Sequence, residues 1–267
     1  MTFSLFDLAF LGSLTGGAAY DADAQAYITA VEAADGQALE VGVKDAINAF
    51  VVGCKADGIW AAIKASCILA GARTLSGALV PLVGTAPTNF NFVAGDYNRE
   101  TGLVGNGSTK YLNTNRPGNA DPQNNSHCAV NVHTADTTGG NTAYAGDAAS
   151  VAGSTNIGVA GGIALFFRSR SAAYVGGGGN ATGLIGVSRS SGSSYDYRSS
   201  GSTTNSATAS DGVSTASMFI FGRNSSGFLG FPSNGRINFY SIGEAIDLAL
   251  LDARVTDLIT AIGAAIP

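Results

Sequence analysis

The stretch HCAVNVHT, residues 127–134, alternates apolar and polar side chains with the two-residue period of a β-strand. One face carries Cys128, Val130 and Val132, and the opposite face carries His127, Ala129, Asn131 and His133. Further short apolar runs lie at residues 163–168, 184–187, 218–221 and 237–242, separated by Gly-rich and Ser-rich segments. Such strands predict an antiparallel sandwich or barrel. Because strands do not alternate with long helices, the pattern disfavours a parallel α/β sheet.

Charged residues are sparse along the whole chain. They make up 12% of the 267 residues, about half the usual share, whereas 45% of the residues are hydrophobic and 37 are glycine. Low charge combined with ordinary hydrophobicity argues against disorder. The net charge is −5 and no cluster of Lys and Arg is present, which argues against nucleic-acid binding. No stretch reaches the about 18 uncharged apolar residues of a spanning helix, so no membrane partner is expected.

The Ala-rich segment before residue 85 has helical rather than β periodicity. Residues 21–72 predict three short helices, of which the first ends near Gly36 and the second near Gly58. The third is expected to run from Ile59 to Leu69, with one face formed by Trp60, Ile63 and Cys67. Helical spacing returns near the C-terminus, where one apolar stripe consists of Leu248, Leu251, Val255, Leu258 and Ile262.

These patterns divide the chain into four parts. We expect an apolar arm at residues 1–20, a helical assembly region at 21–85, a β-sandwich at 86–243 and a C-terminal helix at 244–267. The first residues are not typical of a signal peptide, because they have no basic segment and Asp7 interrupts their apolar run. A Gly-punctuated arm of this kind needs something to hold it, either a neighbouring subunit or the rest of the same chain.

The cysteines and histidines do not form a metal site in this pattern. Cys54, Cys67 and Cys128 cannot all pair within one chain, and their apolar surroundings indicate reduced, buried thiols. His127 and His133 share a strand face but are about 20 Å apart, since a strand rises about 3.3 Å per residue. Cys128 lies on the other face of the strand. We therefore expect exposed strand histidines, no metal and no cofactor.

No motif predicts catalysis. The segment 186–190 lacks the final glycine of a nucleophile elbow, and the glycine run 176–179 lacks the Lys-Ser/Thr pair of a phosphate loop. A glycosidase needs two carboxylates about 5 to 9 Å apart. Candidate carboxylates are scattered over loops, at Asp96, Glu100, Asp121, Asp136, Asp147, Asp196 and Asp211. A minor alternative of glycan hydrolysis stays open, but we expect the protein not to be an enzyme.

The best binding candidate is the polar aromatic stretch Tyr195-Asp196-Tyr197-Arg198. Tyrosine rings can stack on sugars, while Asp and Arg side chains can hold hydroxyl groups. Strand alternation places Tyr195 and Tyr197 on one face, which could equally be part of the core. Tyr174 and Asn180, beside the glycine run, are weaker companions.

Several longer stretches resemble a known family. MFIFGRNSSGFLGFPSNGRINFYSIGEAIDLALLDARVTDLITAI, residues 218–262, resembles the closing strands of concanavalin A-like, laminin-G-like sandwiches, and GLVGNGSTKYLNTN, residues 102–115, resembles their opening strand. Residues 45–84, 90–115 and 237–267 are similar to phage and prophage virion structural proteins of that architecture. The resemblance implies a mainly β fold with a helical N-terminal region, an antiparallel jelly-roll sandwich and a C-terminal helix. The family has no fixed set of catalytic residues to carry over. Many sandwiches of this class bind Ca²⁺ through Asp and Asn residues in loops, but no matching cluster is found in this sequence.

The resemblance implies a non-enzymatic bacteriophage virion protein, assembled in the bacterial cytoplasm and displayed on the particle. Its helical ends are expected to join other virion proteins and further copies of itself, with a trimer favoured. A tail fibre or appendage that contacts a host surface glycan and a capsid decoration or cement protein are the two roles within that class. The alternative from a different class is a stand-alone carbohydrate-binding module.

Overall fold

The computed structural model describes residues 19–148, 152–180 and 182–267. The predicted N-terminal arm therefore lies outside the described residues, apart from its last two positions. The described helices are α1 (Ala22–Asp35), α2 (Val41–Ala56), the single-turn α3 (Leu75–Ala78) and α4 (Leu248–Ala265). Within the described ranges no helix is both long and apolar enough to span a membrane.

The strands come in chain order with short connections. They are β1 (Ile63–Ile68), β2 (Thr88–Phe90), β3 (Tyr97–Asn98), β4 (Gly102–Val104), β5 (Tyr111–Pro117), β6 (Ser126–Thr134), β7 (Thr142–Gly146), β8 (Asn156–Ala160), β9 (Ala164–Arg168), β10 (Val175–Gly179), β11 (Gly183–Arg189), β12 (Tyr195–Ser199), β13 (Ser202–Ser206), β14 (Ser217–Ile220), β15 (Arg223–Ser225), β16 (Phe228–Gly230) and β17 (Arg236–Gly243).

Two antiparallel sheets form a sandwich, as the sequence predicts. Sheet A has the order β13-β12-β11-β6-β17-β4-β3, and β1 pairs with β17 beside β4. Sheet B has the order β10-β9-β8-β7-β14-β5-β2, and β15 with β16 forms a separate hairpin. The protein is mainly an antiparallel β-sandwich with N-terminal and C-terminal helices.

Strand β6 illustrates how the core is built. Cys128, Val130 and Val132 point between the sheets, where they meet residues of sheet B such as Leu165 and Phe167. Ala129, on the opposite face of β6, packs instead among the helices. The alternation predicted for residues 127–134 is therefore confirmed.

The helices cover the outer face of sheet A and give the protein a third layer. The predicted stripe of α4 is buried from Leu248 to Ile262, and it shares one cluster with residues of α1 and α2. Phe50 of α2 meets Phe239 of β17 edge to face, with ring centroids 5.6 Å apart. Sheet A is consequently buried on both faces, which explains why β17 has a buried apolar residue on each side, Phe239 towards the helices and Ile237 towards sheet B.

The predicted third helix, Ile59 to Leu69, is wrong. A short 3₁₀ turn at Trp60–Ala62 leads into β1, which pairs with β17 so that Cys67 lies opposite Tyr240. Cys67 faces the core between the sheets, while Ile63 and Ile68 face the helices. A strand that is apolar on both faces has no two-residue alternation, so its period cannot be distinguished from that of a buried helix.

One predicted strand residue is also misplaced. The apolar run at residues 163–168 predicts a strand that includes Ile163, but β9 begins at Ala164 and Ile163 is exposed in the preceding turn. Leu165 and Phe167 do point into the core.

Loops at one end of the sandwich converge on the buried carboxylate of Asp136. It accepts hydrogen bonds from the backbone and hydroxyl of Thr138, at 2.9 and 2.7 Å, and from the hydroxyl of Ser233 at 2.7 Å. Although burial opposes it, these hydrogen bonds hold the pKa of Asp136 below its ordinary value. The Asp136 carbonyl accepts from the Asn180 amide at 2.7 Å, which ties the end of β10 to the same loops.

The opposite end of the sandwich is closed by buried guanidinium groups. Arg170 donates to the carbonyls of Gly118 and Asp121, at 2.6 and 2.8 Å. Arg189 is fully buried and donates to four carbonyls, those of Ser169, Ser191, Ser194 and Thr208. The two side chains thus hold together four connections, those of β5–β6, β9–β10, β11–β12 and β13–β14.

The helix layer can be tested with two adjacent leucines of α4. Leu251 is fully buried, so Leu251→Ala should lower the free energy of unfolding by about 2 to 5 kcal/mol through lost burial and an unfilled cavity. Leu250 is 37% exposed, and Leu250→Ala should change it by no more than about 0.5 kcal/mol. Urea unfolding of both variants measures the difference. Equal losses would contradict the packing of α4 on sheet A.

Candidate functional site

The predicted pair Tyr195 and Tyr197 lies on the inner face of β12. Tyr195 is buried, and its hydroxyl donates to the carbonyl of Phe167 at 3.1 Å. Tyr197 stacks on the Phe167 ring, with centroids 4.8 Å apart. Of the two alternatives for these rings, the structure supports packing in the core.

Asp196 and Arg198 lie on the outer face of the same strand, towards α4. The Arg198 guanidinium donates to the Asp252 carboxylate of α4 at 2.7 Å and to the Thr203 hydroxyl at 2.8 Å. Asp196 accepts from the Asn205 amide at 2.7 Å. The four predicted side chains are thus divided between two faces of sheet A and do not form one surface. Ligand binding by Asp196 and Arg198 stays a prediction.

The expectation that both histidines are exposed is wrong for His127. His127 is buried, with Nδ1 2.5 Å from the Glu244 carbonyl oxygen and Nε2 2.8 Å from Ser241 Oγ. Because Nδ1–H donates to the carbonyl, Nε2 accepts from the Ser241 hydroxyl. Burial lowers the pKa of His127 to about 4. Ser241 is also fully buried, so this serine–histidine pair has no access to a substrate. His133 is exposed.

The three cysteines are buried and unpaired, as expected. Burial raises the pKa of the Cys54 and Cys67 thiols to about 12, so neither is a reactive thiolate at neutral pH. In the described part of the chain, no group of three His, Cys, Asp or Glu side chains could hold a metal ion.

A different surface has the features of a binding site. The outer face of sheet B, on the side away from the helices, carries a cleft of about 490 Å³, which we call the outer cleft. It is lined by Asn141, Ala160, Ala164, Leu165, Phe166, Tyr174, Gly176 and Phe231. The rings of Phe166 and Tyr174 meet edge to face, 4.9 Å apart, and Tyr174 is 43% exposed. The lining is mostly apolar with an exposed aromatic edge, as is common in small-molecule sites.

Two guanidinium groups lie against the aromatic rings of the outer cleft. The Arg168 guanidinium carbon lies 3.9 Å from the centroid of Tyr174, and that of Arg223 lies 3.7 Å from the centroid of Phe231. Such stacking orients the planar guanidinium and is strongest where water is excluded. Arg168 also donates to the Ser154 hydroxyl at 2.9 Å.

Asn156 lies on β8, next to the strand that bears Arg168. On sheet B it is the register partner of Arg168 on β9 and of Gly146 on β7. Asn156 is fully buried, and neither its Oδ1 nor its Nδ2 has a hydrogen-bond partner among the described residues. A Cβ at Gly146 would lie 2.2 Å from Asn156 Oδ1 and 2.6 Å from Arg223 Cβ, so only glycine leaves room for both side chains. A buried amide without partners is unusual, but Asn156 does not line the outer cleft and is not exposed to a ligand there.

Sequence reasoning found little of this surface. Tyr174 was named as a weak companion and does line the outer cleft, whereas Asn180 ties loops together and accepts from the Tyr144 hydroxyl at 2.9 Å. The other polar and aromatic groups, Asn156, Arg168, Arg223 and Phe231, come from separate stretches. The strand order of sheet B and the position of the β15–β16 hairpin bring them together, so their spacing in the sequence gives no signal.

A second buried carboxyl, that of Asp147, follows directly after Gly146 at the end of β7. Burial raises its pKa to about 7, although Arg170 and Arg168 nearby and a hydrogen bond from the Thr155 amide oppose the shift. Asp147 lines a small enclosed cavity together with His127, Asp121, Arg116 and Arg170.

Comparison with known proteins yields distant likenesses. No family model matches the sequence, and no curated protein is similar to it. Among solved structures, a mutant of the NanB sialidase from Streptococcus pneumoniae is 14% identical, with 54% of this chain and 26% of that chain covered and a TM-score of 0.42. The binding domain of botulinum neurotoxin serotype D is 10% identical, with 73% and 51% covered and a TM-score of 0.49.

A third similar structure is the CBM40 of the Ruminococcus gnavus IT-sialidase bound to α2,3 sialyllactose. It is 9% identical, with 52% of this chain and 83% of that chain covered and a TM-score of 0.36. The chain spans about a quarter of the sialidase chain and about half of the toxin domain. Likenesses this distant do not assign a function, and the sandwich is defined by its own strand pairing.

The buried His127 and Asp147 give the free energy of unfolding opposite pH dependences. The folded-state pKa of His127 lies below its ordinary 6.5, so stability falls as the pH drops from about 6.5 to 4. The folded-state pKa of Asp147 lies above its ordinary 3.8, so stability falls as the pH rises from about 4 to 7.

Asp147→Asn should therefore remove the loss of stability that Asp147 causes as the pH rises from about 4 to 7, because the amide has the shape of the neutral acid but does not ionise. We expect the variant to be more stable than the wild type at pH 8. Below pH 6.5 its free energy of unfolding should fall more steeply than that of the wild type. Urea unfolding between pH 4.5 and 8 measures this. The exposed carboxylate Asp211 provides the control, since Asp211→Asn should keep the wild-type profile. An unchanged profile in Asp147→Asn would show that Asp147 is ionised throughout.

Proposed function

We propose that this protein is a non-enzymatic carbohydrate-binding protein that holds a glycan in the outer cleft. One observation carries the proposal: the ring of Tyr174 is 43% exposed and packs edge to face on Phe166 in the mostly apolar outer cleft.

The chemistry of a sugar suits this arrangement. Pyranose rings have an apolar C–H face that can stack on an aromatic ring, and hydroxyl groups around the edge that both donate and accept. The Tyr174 ring offers the stacking surface. The side-chain amide of Asn141, which lines the cleft, can both donate and accept hydrogen bonds.

Binding without catalysis is favoured by the lining of the cleft. Glycoside hydrolysis ordinarily uses two carboxyl groups that flank the scissile bond. Among the described residues that line the outer cleft, none is Asp or Glu. The buried pair of Ser241 and His127 lies in sheet A, away from this surface.

The sequence resemblance extends the proposal to a biological setting. We infer that the glycan belongs to a bacterial host surface and that the protein is a component of a phage virion, in a tail fibre or appendage rather than in capsid decoration. The apolar faces of α1, α2 and α4 are covered by sheet A of the same chain, so contacts with further copies and other virion proteins would use other surfaces. Mass spectrometry of purified particles tests this setting.

The sugar-binding role can be tested with exposed aromatic residues. Tyr174→Ala should weaken glycan binding about tenfold, or about 1.4 kcal/mol, because it removes the stacking surface and the partner of Arg168. Phe228 is 77% exposed but does not line the outer cleft, and Phe228→Ala should leave binding unchanged. An array of defined bacterial and host oligosaccharides, followed by calorimetry on those bound, measures both. Equal losses in the two variants would place the site elsewhere.

A further inference from the structure

Two alanine methyl groups form part of the outer cleft, which we call the alanine floor. Ala160 on β8 and Ala164 on β9 both line the cleft and are exposed, whereas their neighbours Val159 and Leu165 point into the core between the sheets. The two alanines are register partners. Directly opposed residues of antiparallel strands have Cβ atoms about 4.5 to 5.5 Å apart. The two methyl groups therefore lie side by side and form one small apolar surface.

Aromatic rings bound the alanine floor on one side. Phe166 follows Ala164 by two residues on the same face of β9, about 7 Å along the strand. Its ring lies over Gly158, where a Cβ would be 2.6 Å from Phe166 Cζ. Tyr174 meets this ring edge to face, with centroids 4.9 Å apart. The aromatic surface proposed for a pyranose ring thus lies directly beside the alanine floor.

An amide bounds the alanine floor on the other side. Asn141 lines the cleft, and its Oδ1 accepts from the backbone N–H of Gly161 at 2.9 Å. Gly161 directly follows Ala160 at the end of β8, so the amide is held at the edge of the floor. The next backbone N–H, that of Gly162, donates to the Gly140 carbonyl at 2.8 Å and joins the same two loops. Because its Oδ1 is already engaged, Asn141 offers a ligand the N–H donors of Nδ2.

The lining limits which part of a sugar can lie on the alanine floor. Among the described residues that line the outer cleft, Asn141 and Tyr174 are those with polar side-chain atoms. A sugar hydroxyl over the two methyl groups would lose water without a hydrogen bond from them, which is unfavourable. A methyl group in the same place would gain from burial. The floor therefore favours a sugar substituent that ends in a methyl group and has a hydrogen-bond acceptor beside it.

An acetamido group has this chemistry. We propose that the outer cleft is selective for N-acetylated sugars, with the acetyl methyl group on the alanine floor and the acetyl carbonyl accepting from Asn141 Nδ2. The pyranose ring that bears the acetamido group then lies against Tyr174. A 6-deoxy sugar also ends in a methyl group, but it has no carbonyl for Asn141. This selectivity rests on the proposed sugar-binding function of the cleft.

The selectivity is tested with matched pairs of oligosaccharides that differ only in an acetamido group or a hydroxyl, such as trisaccharides of N-acetylglucosamine and of glucose. Calorimetry measures the Kd of each member. We expect the acetylated member to bind at least about tenfold more tightly, because it adds one buried methyl group and one hydrogen bond. Equal affinities within the pairs, or tighter binding of 6-deoxy sugars, overturn the selectivity while the sugar-binding function stands. If no sugar binds, the proposed function fails and the selectivity fails with it.

Two variants test the placement of the acetamido group. Asn141→Asp keeps an oxygen for the Gly161 N–H but removes the N–H donors, and Ala164→Val fills the alanine floor with a residue that suits a strand. Both variants should lose the tenfold preference. Asn98 on β3 of sheet A is the matched control for the amide, because its Oδ1 accepts from the Glu100 N–H at 3.0 Å, and Asn98→Asp should keep the preference. Urea unfolding checks that all three variants are folded, and a preference retained in Asn141→Asp or Ala164→Val overturns the placement.

Discussion

Sheet A is buried on both faces, and this constraint determines much of the remaining structure. A sheet covered by helices on one side and by a second sheet on the other has no solvent to satisfy polar side chains. The polar residues on its helix-facing side therefore bond to one another. The Asn131 amide donates to Asn238 at 2.7 Å, and His127 bonds to Ser241 on the neighbouring strand. Sheet B, whose outer face is not covered by helices, is the surface that remains for a ligand.

Buried charge has a related role at the two ends of the sandwich. Asp136 at one end is stabilised by neutral donors, and Arg170 and Arg189 at the other end by backbone carbonyls. Each ionised group has several fixed dipoles around it in place of water. The loops are held by these groups rather than by surface ion pairs, which accords with the low charge of the chain. Asp147 differs from them because its carboxyl has no comparable set of donors.

The sequence predicted those features that a local pattern marks. The alternation of β6 and the apolar stripe of α4 followed from periodicity, and β11, β14 and β17 followed from short apolar runs between Gly-rich and Ser-rich segments. Strand β1 was mistaken for a helix, since both of its faces are buried and no period is visible. His127 was placed on an exposed face because the covering segment around Glu244 lies 117 positions away in sequence. The outer cleft depends on strand order in sheet B, so only Tyr174 of its key residues was named beforehand.

The pairing of β1 with β17 also has a consequence for synthesis of the protein. Cys67 and Tyr240, opposite each other in this pair, are 173 positions apart in sequence. Strand β17 also pairs with β4 and β6, so it is the common neighbour of three strands made much earlier. A nascent chain emerges from the ribosome N-terminus first, at about 5 to 20 residues per second. The centre of sheet A is therefore missing until the last strand has been made, and the apolar faces of β1 and β6 must wait for it, exposed to chaperones and to other nascent chains.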